Sequence, residues 1–223
     1  FIPVLEKNGY VIDVDNFIWN KVCACIKMME DKGIEPVPIS VNVSRMHVYQ
    51  EKFTENLKNM AGEYGIDPKY IPLEITESAF TKEEGSLFKK VQSLQGYGFK
   101  FSMDDFGSGY SSLGMLKSER VDEVKIDKTF VDDIATDKGK VLLGNVIRMI
   151  NELGIDMIAE GVETKEQADF LKENGCMYAQ GYYYYKPMPA EELEKILVDL
   201  SRLDGEFIPK QENLNPVIIP LKN

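Results

Sequence analysis

With 223 residues and 43% hydrophobic side chains, the chain has enough apolar material for one α/β domain with a sizeable core. A net charge of −11 argues against duplex DNA or an anionic membrane surface as a partner, since both are gripped through Lys/Arg patches. No apolar run is long enough to span a bilayer and no charged-then-apolar leader opens the chain, while Cys23, Cys25 and Cys176, with no C-x-x-C pair, read as buried thiols of a reducing cytoplasm.

In chain order, a helix is expected over about 15 to 31, with Phe17, Ile18, Val22, Cys25, Ile26 and Met29 as its inner stripe and Gly33 as its stop. A strand ending at Asn42, a helix over roughly 48 to 64 and a strand through Glu74 follow. His47 is expected at the surface. A helix over about 83 to 96 leads into the strand ending at Asp104, and the loop DFGSGYSS with a short helix leads to the strand holding Lys125. Helices near 128 to 134 and 138 to 153 precede the strand ending at Glu160, after which T-K-E-Q at 164 to 167 reads as a capping box. The strand ending at Gln180 is followed by Tyr182 to Tyr185, expected to pack inside, then Pro187, Pro189 and an amphipathic helix over about 190 to 202. Residues 1 to 203 thus read as one domain and 204 to 223 as a tail or linker.

Each of the six short apolar runs ends on one polar residue: Asn42, Glu74, Asp104, Lys125, Glu160 or Gln180. Side chains two apart on a strand share a face, so Ile71, Leu73 and Ile75 oppose Glu74, and Phe99, Phe101 and Met103 oppose Ser102 and Asp104. Strand and helix alternating in this way imply parallel pairing with right-handed crossovers. If the sheet closes into a barrel, the polar parity points inward at the C-terminal rim, where such barrels hold their active sites.

A single histidine rules out zinc sites built from several His ligands, and no G-x-S-x-G elbow accompanies it. Carboxylates and amides must carry any metal, and hard oxygen ligands favour Mg²⁺ or Mn²⁺. Adjacent Asp104 and Asp105 before a Gly-rich loop suit two cations about 3.5–4 Å apart, with Asn42 and Glu74 completing one shell and Glu160 approaching the other. Such a pair activates water for phosphoryl displacement, with Lys125 orienting it or neutralising phosphate charge. A lyase or isomerase in which Lys125 abstracts a proton beside a bound Mg²⁺ is the competing chemistry.

The strings FIPVLEKNG, VNVS, EITES, DDFGSGYSSL, KID, AEGVET and QGYYYYKPMPAEEL, in this order over roughly residues 1 to 200, resemble the EAL domain family. These are bacterial phosphodiesterases that hydrolyse the second messenger cyclic di-GMP. The resemblance implies a TIM-type (β/α)8 barrel, N-terminally incomplete here with about six strands visible, two Mg²⁺ or Mn²⁺ ions, and opening of cyclic di-GMP to linear pGpG. It implies Asn42, Glu74, Asp104 and Asp105 as metal ligands, with Glu160 joining directly or through water. It places Lys125 beside the attacking water, makes Gln180 a water anchor and Glu163 an outer acid, and sets Pro187, Met188 and Pro189 at the substrate. Glu77 with the loop of Phe106, Gly107, Ser108 and Gly109 is the element expected to couple metal binding to homodimer formation. An upstream sensory or GGDEF domain and a cytoplasmic location are expected as well. The E-A-L strand, with a metal-binding glutamate, belongs before FIP and is absent from this sequence. Weak metal affinity and low turnover are the expectation that follows, and a non-catalytic cyclic di-GMP receptor or protein-interaction domain is the alternative reading.

Overall fold

A computed structural model describes residues 2–79, 84–107, 116, 121–202 and 219–220. In chain order the elements begin with α1 (Ile2–Asn8), α2 (Val11–Asp31), β1 (Val41–Asn42), α3 (Arg45–Tyr49), α4 (Phe53–Tyr64), β2 (Leu73–Thr76), α5 (Glu84–Gln95) and β3 (Phe101–Phe106). They continue with β4 (Glu123–Ile126), α6 (Lys128–Asp132), α7 (Asp137–Glu152), β5 (Asp156–Ala159), α8 (Lys165–Glu173), β6 (Tyr178–Ala179), α9 (Ala190–Arg202) and β7 (Ile219–Pro220). Two compact units result, one of Phe1–Pro72, Tyr97–Phe99 and Pro187–Val217, the other of Leu73–Gly96, Lys100–Lys186 and Ile218–Asn223.

In the first unit, α2 buries Val11, Asp15, Trp19, Cys23, Ile26 and Met29, a stripe recurring every three or four residues. The expected stripe shares only Ile26 and Met29 with it, and Phe17 and Ile18 are 63% and 45% exposed. The helix instead turns inward its largest side chain, Trp19, whose indole Nε1 donates to the Asn42 carbonyl at 3.0 Å. Against Trp19 and Phe53 lies His47, ring centroids 4.4 and 6.2 Å away, so the histidine expected at the surface is in fact 2% exposed. Burial holds its imidazole below the ordinary range despite the attraction of Asp15. A neutral ring with Nε2 3.3 Å from the Ile12 carbonyl satisfies the polar edge that the buried site would otherwise penalise.

The first strand is shorter than its apolar run. Ile39 and Val41 donate to the carbonyls of Tyr70 and Pro72, each at 2.9 Å, while Pro36 and Pro38, of the opposite parity, have no N–H to offer the other edge. The helix expected over 48 to 64 is broken into α3 and α4, and α1 lies in a stretch where no element was expected.

The second unit is built on β2 to β6, paired parallel in chain order, with β7 antiparallel to β6. Strands β1 to β6 are the six expected, in the mixed α/β pattern of an incomplete TIM-type barrel, and β7 is a seventh that falls in the expected tail. Leu73, Ile75, Phe101, Met103, Val124, Ile126, Met157 and Ala159 are buried on one parity. The buried stripes of the intervening helices, such as Leu143, Ile147 and Ile150 of α7, are the apolar surfaces such strands require. The other parity is buried too, yet it carries Glu74, Ser102, Glu123 and Lys125. The Thr164 capping box forms as expected, its hydroxyl accepting from the Gln167 N–H at 3.2 Å while Gln167 Oε1 accepts from the Thr164 N–H at 3.0 Å.

The strand ends of β5 and β6 are locked by backbone alone: Gln180 N–H donates to Ala159, and Val162 N–H to Gln180. A Cβ at Gly181 would stand 2.1 Å from the Val162 carbonyl oxygen and 2.3 Å from its nitrogen. Gly181→Ala is therefore expected to lower stability by more than about 2 kcal/mol, read as the shift of the urea midpoint. A change within about 0.5 kcal/mol would show that the backbone yields.

Candidate active site

Register sets Glu74, Ser102, Glu123 and Asp156 side by side on four adjacent strands, hence on one face of the sheet. Two residues further along that face come Thr76 and Asp104, paired with each other, and Lys125, paired with Ile158. Simple alternation would send Asp105 to the opposite, apolar side. Instead β3 runs from Met103 to Phe106 while β4 runs only from Val124 to Ile126, so β3 carries an extra residue, a bulge. Asp105 adopts φ 57° there, a left-handed conformation that costs a non-glycine residue about 1–3 kcal/mol. The strain has a visible product: one carboxylate oxygen each of Asp104, Asp105 and Glu160 lie within 4.8 Å of one another.

Lys125, 5% exposed, ends in the middle of the acids. Its Nζ lies 2.6 Å from Glu160, 3.0 Å from Glu74 and 3.4 Å from Asp104 Oδ1. Burial opposes its charge, but the three carboxylates win and hold its pKa above the ordinary lysine range. At Glu160 the balance reverses, with burial raising the carboxyl despite Lys125. Both outcomes follow from the stoichiometry, since one ammonium faces three acids and each acid has a share of one ammonium. Asp105 is raised as well, by burial and then by Asp104 and Asp127. Asp104 Oδ1 is buried and accepts no hydrogen bond from the described residues, the contact to Lys125 being an ion pair only. Three carboxylates brought this close together suit a hard divalent cation.

Below Lys125 on the same face sits Glu123, 5% exposed, its Oε1 accepting from Ser102 Oγ at 2.9 Å. Burial pushes its carboxyl up to about 7 from 4.5, against the Ser102 hydrogen bond, with the charges of Glu74 and Asp156 adding to the rise. Glu123 was not among the residues expected at the site, although parity with Lys125, two residues on, points to it.

Around this centre, Glu160 N–H donates to the Ile126 carbonyl at 3.0 Å, which fixes the residue just beyond β5. Gln180 lies at the neighbouring strand end with its side chain exposed. Glu163 pairs at the surface with Lys128. Glu77, 2% exposed, accepts from the Gly107 N–H at 3.4 Å, so it does meet the loop after Asp105. Gly107 has φ 95°, and a Cβ there would stand 2.0 Å from the ring of Phe130; Phe106 beside it is buried. Ser108 and Gly109 lie outside the described residues. Asn42, Pro187, Met188 and Pro189 belong to the other unit, Asn42 on β1 with its side chain exposed, and Pro189 accepting at the start of α9. Of the tyrosines expected to pack inside, Tyr182, Tyr183 and Tyr185 are 60%, 42% and 46% exposed; the turn after Gly181 carries them outward.

The family profile described as EAL domain matches residues 1–187. The chain belongs to the EAL domain family. The probable cyclic di-GMP phosphodiesterase PdeG of Escherichia coli is 34% identical over 204 residues, 91% of this chain and 40% of that protein. Signaling protein YkoW of Bacillus subtilis is 34% identical over 200 residues, 89% of this chain and 25% of that protein. The solved structure of the PaMucR phosphodiesterase in its c-di-GMP complex superposes with a TM-score of 0.82 at 31% identity, covering 86% of this chain and 78% of that one. The EAL chain therefore spans a quarter to two fifths of the length of these two curated relatives.

The raised Glu123 carboxyl gives a signed pH dependence. Its proton is favoured in the fold, so its contribution is full below about 4.5 and is lost as pH rises through about 7. Glu123→Gln is expected to remove that loss, making the variant more stable than wild type at pH 8 by up to about 3 kcal/mol, with the gap closing by pH 5. Urea unfolding of both chains across this range measures it; a gap independent of pH would contradict it.

Proposed function

We propose that this EAL chain acts in metal-dependent hydrolysis of cyclic di-GMP to linear pGpG in bacterial signalling. The observation that carries the reading is the convergence of Asp104, Asp105 and Glu160 beside Lys125. Asp104, Asp105 and Glu74 would hold Mg²⁺ or Mn²⁺ together with Asn42, and Glu160 would join directly or through water. When bound, such ions lower the pKa of water and neutralise phosphate charge. The acids around Lys125 favour its charged form, which speaks against the base that the lyase reading demands. The work of Lys125 is to orient the water or the phosphate oxygen under attack.

Within this reading, Gln180 anchors water at the rim, Glu163 is an outer acid behind the metal ligands, and Pro187, Met188 and Pro189 contact the nucleotide. Glu77 and the loop through Phe106, Gly107, Ser108 and Gly109 relay metal occupancy to a homodimer partner. Sensory or GGDEF domains of a longer parent would supply regulation in the cytoplasm.

Incubation of the purified chain with cyclic di-GMP and Mn²⁺, followed by chromatography, is expected to give pGpG that disappears on chelation and in Asp104→Ala. Nucleotide binding without product would instead identify a receptor, and no binding of either kind would overturn the assignment.

A further inference from the structure

Two side chains of α2, one helical turn apart, hold the backbone that follows the Asn42 Cα. Trp19 Nε1 donates to the Asn42 carbonyl at 3.0 Å, and Asp15 Oδ2 accepts from the Ser44 N–H at 3.2 Å, so the two contacts flank Val43. Both helix residues are fixed by their surroundings, Trp19 being 2% and Asp15 7% exposed. The His47 ring stacks at 4.4 Å on Trp19 and points Nε2 at Asp15 from 3.7 Å. Because β1 is only two residues long, the strand offers little of its own to hold its last residue.

We infer that Trp19 and Asp15 are positioning residues for Asn42, holding its own carbonyl and the Ser44 N–H two residues on so that its amide is presented as a ligand. The inference rests on the reading of Asn42 as a metal ligand. An amide is a neutral and therefore weak ligand, whose share in binding depends on being held within about 0.5 Å of the productive place. Loss of an outer partner of a metal ligand commonly costs about 10–100-fold in affinity.

Trp19 is the single tryptophan of the chain, so its indole N–H gives one unambiguous resonance. In a Mg²⁺ titration of the full chain followed by ¹H–¹⁵N spectra, that resonance is expected to shift in wild type and to stay fixed in Asn42→Ala. In calorimetric Mn²⁺ titrations, Trp19→Phe keeps the aromatic bulk and removes the donor, and is expected to weaken affinity about tenfold. Asp15→Ala is expected to do likewise, while Asp15→Asn, which keeps an acceptor for Ser44, retains affinity. In an Asn42→Ala background, Trp19→Phe is expected to cost nothing further. A similar loss in that background would overturn the inference, as would an unchanged affinity of Trp19→Phe when Asn42→Ala alone binds weakly. An Asn42→Ala chain that binds as wild type, or a wild-type indole that ignores Mg²⁺, would remove the ligand reading and the inference with it. Should Trp19→Phe fail to fold, the wild-type indole shift and the Asp15 pair decide.

Discussion

One buried ammonium shared by three carboxylates is the interaction on which the second unit depends. Glu74 comes from β2, Asp104 from β3, Lys125 from β4 and Glu160 from the residue after β5, so four successive strands meet in one ion network. Taking such charges from water costs several kcal/mol per ion, and only good mutual geometry offsets it. A slip of one residue in any strand would turn its member of the set toward the apolar helices and leave the others unpaired. The network therefore specifies register at least as much as it stabilises, and the short strands, several of four residues or fewer, have need of such a specification.

The same network is deliberately short of positive charge. Lys125 is saturated with acids, while Glu160 and Asp105 have carboxyls raised above their ordinary range by burial and by the charge of Asp104. An interior arranged purely for stability would match the charges or replace them with apolar side chains. An excess of acid around the Asp104 oxygen makes sense when cations are to enter. Beneath it, Glu123, with its carboxyl pushed up to about 7 chiefly by burial, is only partly ionised at neutral pH and so adds less negative charge to the network above.

Much of this was legible in the residues. Alternation within EITE, SMDDF and EVKID placed Glu74, Asp104 and Lys125 on one face because strand parity is a strict geometric rule. The T-x-x-Q cap and the end of α9 at Arg202 followed from equally local chemistry. What escaped depended on partners distant in the chain. The stripe of α2 was misread because Trp19 and Asp15 are turned inward by backbone groups of Asn42 and Ser44, more than twenty residues away. His47 was taken for a surface residue because a polar ring is only tolerable inside once Trp19, Ile12 and Asp15 are around it. Glu123 carries a weaker signal for a simpler reason: it stands two residues before the polar end of its strand, where parity with Lys125 alone marks a buried acid.

The adjacent aspartates show how a local rule is broken for a purpose. Parity alone allows a strand to offer one of two neighbouring side chains to a given face, and a site that needs both must abandon the ladder at that point. The chain does so with one extra residue on β3 and a left-handed Asp105, followed two residues later by Gly107, whose φ of 95° lets the strand turn against Phe130. A glycine or asparagine at position 105 would adopt that conformation with less strain. Retaining an aspartate there, where both its backbone and its buried carboxyl are disfavoured, is explained by what the carboxylate does beside Asp104 and Glu160, and by nothing that the fold itself requires.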